Sequence, residues 1–302
     1  MEPLPRSIGI IGGMGPWVDA LLLRKILEYQ TALGMRRDQD AMPLLLAQFS
    51  PIIEDRTQYL VSLESDEPLE NPAVNVVRIA RMLAASGARV LGIPCNTFHA
   101  GPIFSRFEQE LVDLTSGQDA IHIVHMIQAT IGDLFAQRPG LRQVGILSSI
   151  GTYLHHIYSA PVSAKGLEAI TLPYDPRPLP EAECEARKTA IIENRLTPSQ
   201  NDVHRAICHP EWGIKAGKES QLGYPTAKAI LKTAARRLQD LGAETVILGC
   251  TEIPIALQQS DLPDLPLHDP LDSLARALVD AHRSTQASTP VWPPATELPS
   301  PL

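Results

Sequence analysis

Apolar residues along the chain gather in short continuous runs, and these alternate with stretches whose apolar positions repeat at helical spacing. The first run, Ser7 to Ile11, is followed by the turn Gly12-Gly13-Met14-Gly15-Pro16 and a helix predicted to end near Thr31. Pro16 suits a first helical turn, and Asp19 complements its positive end. A polar stretch from Gly34 to Asp40 leads to a second strand, Pro43 to Phe49. Ser50 to Glu70 reads as a polar, loop-rich segment carrying Asp55-Arg56-Thr57, before a helix over Val74 to Ala85 and a strand over Arg89 to Ile93. Strands alternating with helices predict a mainly parallel sheet flanked by helices, an α/β fold.

The pattern then starts again. Val144 to Gly151 echoes Ile8 to Gly15 as an opening strand and turn. Pro173 to Pro180 reads as a loop, Glu181 to Asn194 as an exposed helix, and a less regular insertion leads to Trp212-Gly213-Ile214-Lys215-Ala216-Gly217. A helix over Pro225 to Leu241 feeds a strand ending at Cys250. A short strand, Leu265 to His268, precedes a helix over Pro270 to His282. The Pro-, Ser- and Thr-rich tail from Ser284 to Leu302 is expected to be disordered.

Two stretches are close copies. Ala80, Arg81, Leu83, Gly87, Ala88 and Cys95 align without a gap on Ala235, Arg236, Leu238, Gly242, Ala243 and Cys250, six identities in sixteen positions at an offset of 155. In each, a helix ends at a glycine cap, an apolar run follows, and a cysteine falls at the end of that run. Both thiols are thereby placed at the C-terminal ends of strands, where open α/β sheets carry their chemistry. One unit used twice would bring two thiols to one cleft.

Composition narrows the field. The 302 residues suffice for two domains with substantial cores, and a net charge of −8 without a long basic run argues against a nucleic-acid partner. No apolar run reaches the ~18–20 residues of a membrane span. The N-terminal residues show no signal-peptide hydrophobic region, so a cytoplasmic protein with reduced cysteines is expected. No C-x-x-C occurs to suggest a zinc or redox module.

Gly12-Gly13-Met14-Gly15 does not fit the G-x-G-x-x-G frame of dinucleotide sites. An anion seat at the helix N-terminus and a tight turn alone both remain open for it. A lone cysteine at a strand end is more often a small buried hydrophobe than a nucleophile. The duplication, with Asn96, Thr97 and Thr251 as polar neighbours, favours function for Cys95 and Cys250. Each thiol precedes a helix start, where N–H groups and the dipole are expected to lower its pKa and to hold an α-carboxylate. Cys184 and Cys208 have no repeat partner, and the grouping of His204, Cys208 and His209 matches no common zinc spacing. His155 and His156 read as ordinary surface residues. Of His99, His155 and His156, His99 is the one near a cysteine and could orient Thr97 or the Cys95 loop.

Taken together, Gly12-Gly13-Met14-Gly15-Pro16, Asp55-Arg56-Thr57, Pro94-Cys95-Asn96-Thr97-Phe98-His99, Gly213-Ile214-Lys215-Ala216-Gly217 and Gly249-Cys250-Thr251-Glu252 resemble the cofactor-independent aspartate/glutamate racemase superfamily, in its aspartate racemase-like branch. The resemblance runs over residues 7 to 283. It implies two pseudo-symmetric α/β domains with the active site in the cleft between them. Residues 1–112 with 268–302 would form the domain carrying Cys95, and residues 113–267 the domain carrying Cys250. It also implies a homodimer, a small-molecule amino-acid substrate and no cofactor or metal. Arg56 and Lys215 would hold the distal carboxylate of aspartate or glutamate. Met14, Asn96, Thr97, Thr251 and Glu252 would complete the substrate site, with Asn96, Thr97 and Thr251 around the α-carboxylate and amino group. Three departures stand out: Trp17-Val18-Asp19 replaces the family's small residues and Thr, Phe98 replaces its Ala, and the segment from Ser159 to Lys215 is longer. Trp17 and Phe98 at a pocket rim would favour a bulkier amino acid.

The chemistry implied is racemisation by two bases: one thiolate removes the α-proton, and a thiol on the other wall returns one. By the resemblance, Cys95 would serve the D-substrate and Cys250 the L-substrate. Rival readings are another reaction of the same fold, such as diacid isomerisation or decarboxylation, a catalytically silent amino-acid binder, and a thiol redox protein.

Overall fold

The computed structural model describes residues 5–117 and 120–286. Its first half comprises β1 (Ser7–Gly12), α1 (Pro16–Ala32), β2 (Leu44–Gln48), α2 (Arg56–Ser62), α3 (Ala73–Ala85), β3 (Ala88–Gly92), α4 (Gly101–Glu110), β4 (His122–Val124) and α5 (Met126–Gln137). The second comprises β5 (Gln143–Ser148), α6 (Ile150–Leu154), α7 (Ser159–Ala164), β6 (Glu168–Ile170), α8 (Glu181–Ile192), α9 (Gln200–Cys208), α10 (Pro225–Asp240), β7 (Thr245–Gly249), α11 (Ile253–Ala256), β8 (Leu267–His268) and α12 (Pro270–Gln286).

Two four-stranded sheets result, ordered β2-β1-β3-β4 and β6-β5-β7-β8. Every strand pair is parallel. The orders are the same permutation, so the duplication legible around the cysteines extends to whole sheets. It is carried locally by the helix ends: Gly87 (φ 100°) and Gly242 (φ 108°) take the left-handed conformation just past α3 and α10, which glycine adopts without a Cβ penalty.

Both faces of each sheet are covered, and their strands are accordingly apolar on both sides. On β1, Ile8 and Ile10 pack with Val18, Leu22, Leu274 and Leu278 of α1 and α12. Ile11 points the other way, into the core that holds Leu83 and Phe107. That second core also takes in Val144, Ile146, Tyr158 and Ile247, so it runs from one half into the other.

The halves exchange chain near their boundaries. β4 pairs with β3, Val90 opposite His122 and Gly92 opposite Val124, so the first sheet extends past the boundary expected at residue 112. The pairing of β8 with β7 keeps His268 in the second sheet, one residue beyond the boundary expected there. α12 then returns to the first half. Lys25 on α1 binds Asp272 at 2.6 Å and Asp269 at 2.9 Å, and His282 bonds to the Arg6 carbonyl at 3.0 Å. The helix expected to end at His282 continues to Gln286, and the rest of the tail lies outside the described residues. Among the described residues, no helix is long and apolar enough to cross a membrane.

Candidate active site

Cys95 lies three residues beyond β3 and Cys250 directly after β7, in the middle of their sheets. Both are buried. They line one cavity of about 180 Å³ between the halves, together with Met14, Arg56, Asn96, Thr97, Lys215, Thr251 and Glu252. All nine residues singled out from the sequence meet there.

The Cys95 loop is fastened across the seam. Tyr158 in the second half donates from its hydroxyl to Asn96 Oδ1 at 2.6 Å. Thr97 Oγ1 lies 3.0 Å from Thr152 Oγ1 and 3.4 Å from Ser149 Oγ. From behind, His99 Nε2 accepts the Met126 N–H at 3.3 Å, which leaves Nδ1–H to donate to the Cys95 carbonyl at 2.9 Å. Burial lowers the His99 pKa to about 3, with His125 adding to the effect, so this imidazole is neutral.

Arg56 opens α2, where the Asp55 side chain caps the helix by accepting the Gln58 N–H at 2.8 Å. Its guanidinium donates to the Glu54 carbonyl at 3.2 Å, while the buried Nε has no protein acceptor. Burial works against its charge, but Cys95, Asp55 and Glu252 outweigh burial and raise its pKa. The buried Asn96 Nδ2 likewise has no protein acceptor. Two buried donors without acceptors, one on a cation, favour an anionic ligand in this cavity.

Lys215 sits on the opposite wall, in a 3-10 turn over Ile214–Ala216, with its ammonium 3.4 Å from Glu252 Oε1. Glu252 raises the Lys215 pKa, more than burial lowers it. Glu252 Oε2 accepts a hydrogen bond from Cys250 Sγ at 3.0 Å, and Thr251 Oγ1 lies 3.4 Å from the same oxygen. The effect on Cys250 runs opposite to the lowering expected at a helix start. Burial first, then the Glu252 carboxylate, push its thiol well above the usual range, and only Lys215 pulls it back. The helix that follows, α11, is four residues long, too short to develop much dipole.

The glycine turn is not a free anion seat. Gly13 N–H donates to Asp19 Oδ2 at 2.8 Å and Gln48 Nε2 to the same oxygen at 2.7 Å. The turn therefore holds a carboxylate from its own helix. Nor do the two bulky departures narrow the cavity: Trp17 is 67% exposed and Phe98 is fully buried, edge-on to Phe107 in the first half's core.

Sequence reasoning passed over His204 and Cys208, which line the same cavity. They stand one turn apart on α9, and that i, i+4 spacing was the available signal. Burial, aided by Lys215, lowers His204 to about 4. Burial raises Cys208 to about 11, so this wall is uncharged near neutral pH. His209, grouped with them in the sequence, turns away to Glu181 at 3.2 Å and stacks on Trp212. Cys184, without a repeat partner, is buried on α8 and is not among the residues lining this cavity.

Two parallel sheets of identical strand order, each ending one central strand at a thiol in a shared cleft, define a pseudo-symmetric α/β protein. No family model matches the chain. Its fold is that of the aspartate and glutamate racemases. An aspartate racemase homologue from Pyrococcus horikoshii aligns with a TM-score of 0.57 at 21% identity, over 92% of this chain and 99% of that one. An aspartate racemase from Picrophilus torridus aligns with a TM-score of 0.60 at 20% identity, over 91% and 94% respectively. For a glutamate racemase from Francisella tularensis, in complex with D-glutamate, the score is 0.54 at 15% identity, over 96% and 85%.

Proposed function

We propose that the protein is a cofactor-independent amino-acid racemase acting on aspartate, glutamate or both. The observation that carries this reading is the pair of buried thiols, one from each half, on one small cavity that also holds Arg56 and Lys215. Racemisation needs a base on one face of Cα and an acid on the other, and the two-fold repeat supplies both. Cys95 as thiolate takes the α-proton and the electron pair stays on carbon. Cys250 then delivers its S–H proton to the opposite face, and the reverse reaction exchanges the roles. Arg56 and Lys215 bind the distal carboxylate, and the Asn96 amide with the Thr97 and Thr251 hydroxyls holds the α-carboxylate and amino group. A cavity of about 180 Å³ suits a four- or five-carbon amino acid and leaves little room for a bulkier one.

Proton NMR in D2O with L- and D-amino acids tests the reading. The α-hydrogen signal of aspartate or glutamate should disappear from either enantiomer, with optical inversion. Cys95→Ala and Cys250→Ala should each abolish inversion, whereas Cys208→Ala should retain it. Ligand binding without exchange would instead mark a silent binder, and a new unsaturated or decarboxylated product another reaction of this fold.

A further inference from the structure

The two Glu252 oxygens face different groups, and Oε1 has no hydrogen-bond partner in the protein. Oε2 receives the Cys250 thiol at 3.0 Å, and Oε1 faces the Lys215 ammonium at 3.4 Å. Cys95 shares the cavity with the Arg56 guanidinium, whose charge its sulfur would attract as a thiolate. The repeat has therefore placed like side chains in unlike fields.

We infer that Glu252 is a positioning residue that retains the proton on Cys250, so that the free site is unequal, with Cys250 the waiting acid and Cys95 the base. This rests on the racemase reading for its catalytic meaning, but the order of the two thiols is a property of the free protein. The groups facing Cys250 are Glu252 on its own segment, Lys215 from the 3-10 turn, Cys208 from α9 and Tyr158 from the loop before α7. Of these, Lys215 is the one that favours a thiolate, and it is shared with Glu252.

The cycle this implies is closed in protons. Cys95 thiolate accepts the α-proton, and Cys250 gives its own to the other face. The product leaves behind a Cys250 thiolate beside the Glu252 carboxylate. That like-charge pair draws a proton from solvent back to Cys250, while Cys95–H releases one. Each turnover in one direction thus ends in a reset of the free protein. Enantiomers have equal free energies, so kcat/KM is the same in both directions, and the inequality of the thiols shows as different kcat and KM for L and D at a common ratio.

Brief alkylation with iodoacetamide across a pH series, with peptide mapping by mass spectrometry, reads the thiol order directly. Both residues are buried, so charge state is read from the pH midpoint of labelling at each thiol and not from the absolute rate. The Cys95 midpoint should lie below that of Cys250. Glu252→Gln should move the Cys250 labelling midpoint down by about 1–3 pH units, as expected for removal of an adjacent like charge, and leave that of Cys95 in place. Lys215→Met should move the Cys250 midpoint up, which keeps the test intact if the Gln variant does not fold, and Glu252→Asp should restore the wild-type order. A Cys250 midpoint below that of Cys95 in the wild type, or one that neither substitution moves, overturns the inference. Since labelling requires no turnover, an inactive protein with this thiol order would refute the racemase and not the role of Glu252.

Discussion

Tyr158→Phe isolates one atom that ties the two halves together at the reaction centre. The Tyr158 hydroxyl donates to Asn96 Oδ1 at 2.6 Å with both residues buried. Phenylalanine keeps the ring and its packing against Gly249, so no cavity of consequence forms. What is lost is a buried hydrogen bond, leaving the Asn96 carbonyl oxygen without its donor next to an amide Nδ2 that already lacks an acceptor. A buried polar atom left in this way costs about 1–3 kcal/mol, which for a protein of this size corresponds to a fall in Tm of roughly 2–4 °C per kcal/mol. Activity should fall with it, because Asn96 is next in sequence to Cys95 and loses the contact that sets its rotamer. Urea denaturation followed by far-UV circular dichroism gives the stability change, and aspartate inversion by polarimetry gives the turnover. A variant equal to wild type in both would refute the idea that this bond organises the Cys95 loop across the seam.

Arg56→Leu should lower kcat/KM for aspartate by roughly 10- to 150-fold, the loss of a charge-assisted hydrogen bond of about 1.5–3 kcal/mol, chiefly through KM, and steady-state kinetics would separate the two. His99 makes stability depend on acid. Its folded pKa of about 3 lies below the unfolded value near 6.5, so the unfolded chain binds the proton first. The stabilisation is complete above pH 6.5 and declines as pH falls towards 3, by a few kcal/mol. His99→Gln should flatten that slope in denaturation midpoints measured at several pH values. Gly92→Ala would place a Cβ 2.8 Å from Leu278 Cδ2 on α12, and the overpacking should cost about 1–3 kcal/mol, seen as a lower Tm with an unchanged circular dichroism spectrum.

The thiol cleft was legible in the sequence because its signals are local and occur twice: a helix, a glycine, an apolar run and a cysteine. Its electrostatics were not. Nothing in the run Gly249-Cys250-Thr251-Glu252 says that the carboxylate folds back on the thiol two residues before it, and helix-dipole reasoning pointed the wrong way. α2 escaped notice because seven residues are too few to show a period, although its capping Asp55 stands plainly before it. α8 looked exposed by composition. Its charges are partly spent in the fold, for Arg187 binds the buried Asp202 of α9 at 2.6 Å. The i, i+4 spacing within α9 pairs His204 with Cys208 on one face, but the packing of α8 and α9 against α10 decides that this face meets the cavity.

The return of α12 to the first sheet has a consequence for how the protein is made. One face of β1 and β3 is covered by Leu271, Leu274, Leu278 and Val279, and the Lys25–Asp272 bond closes a separation of 247 residues. On a ribosome the residues of the first sheet emerge early, at about 5–20 residues per second, yet the helix that shields them follows only after the entire second half. For that interval Ile8, Ile10 and Val90 have α1 for cover and nothing opposite Leu278. The first half therefore cannot complete its packing until the last helix has been made.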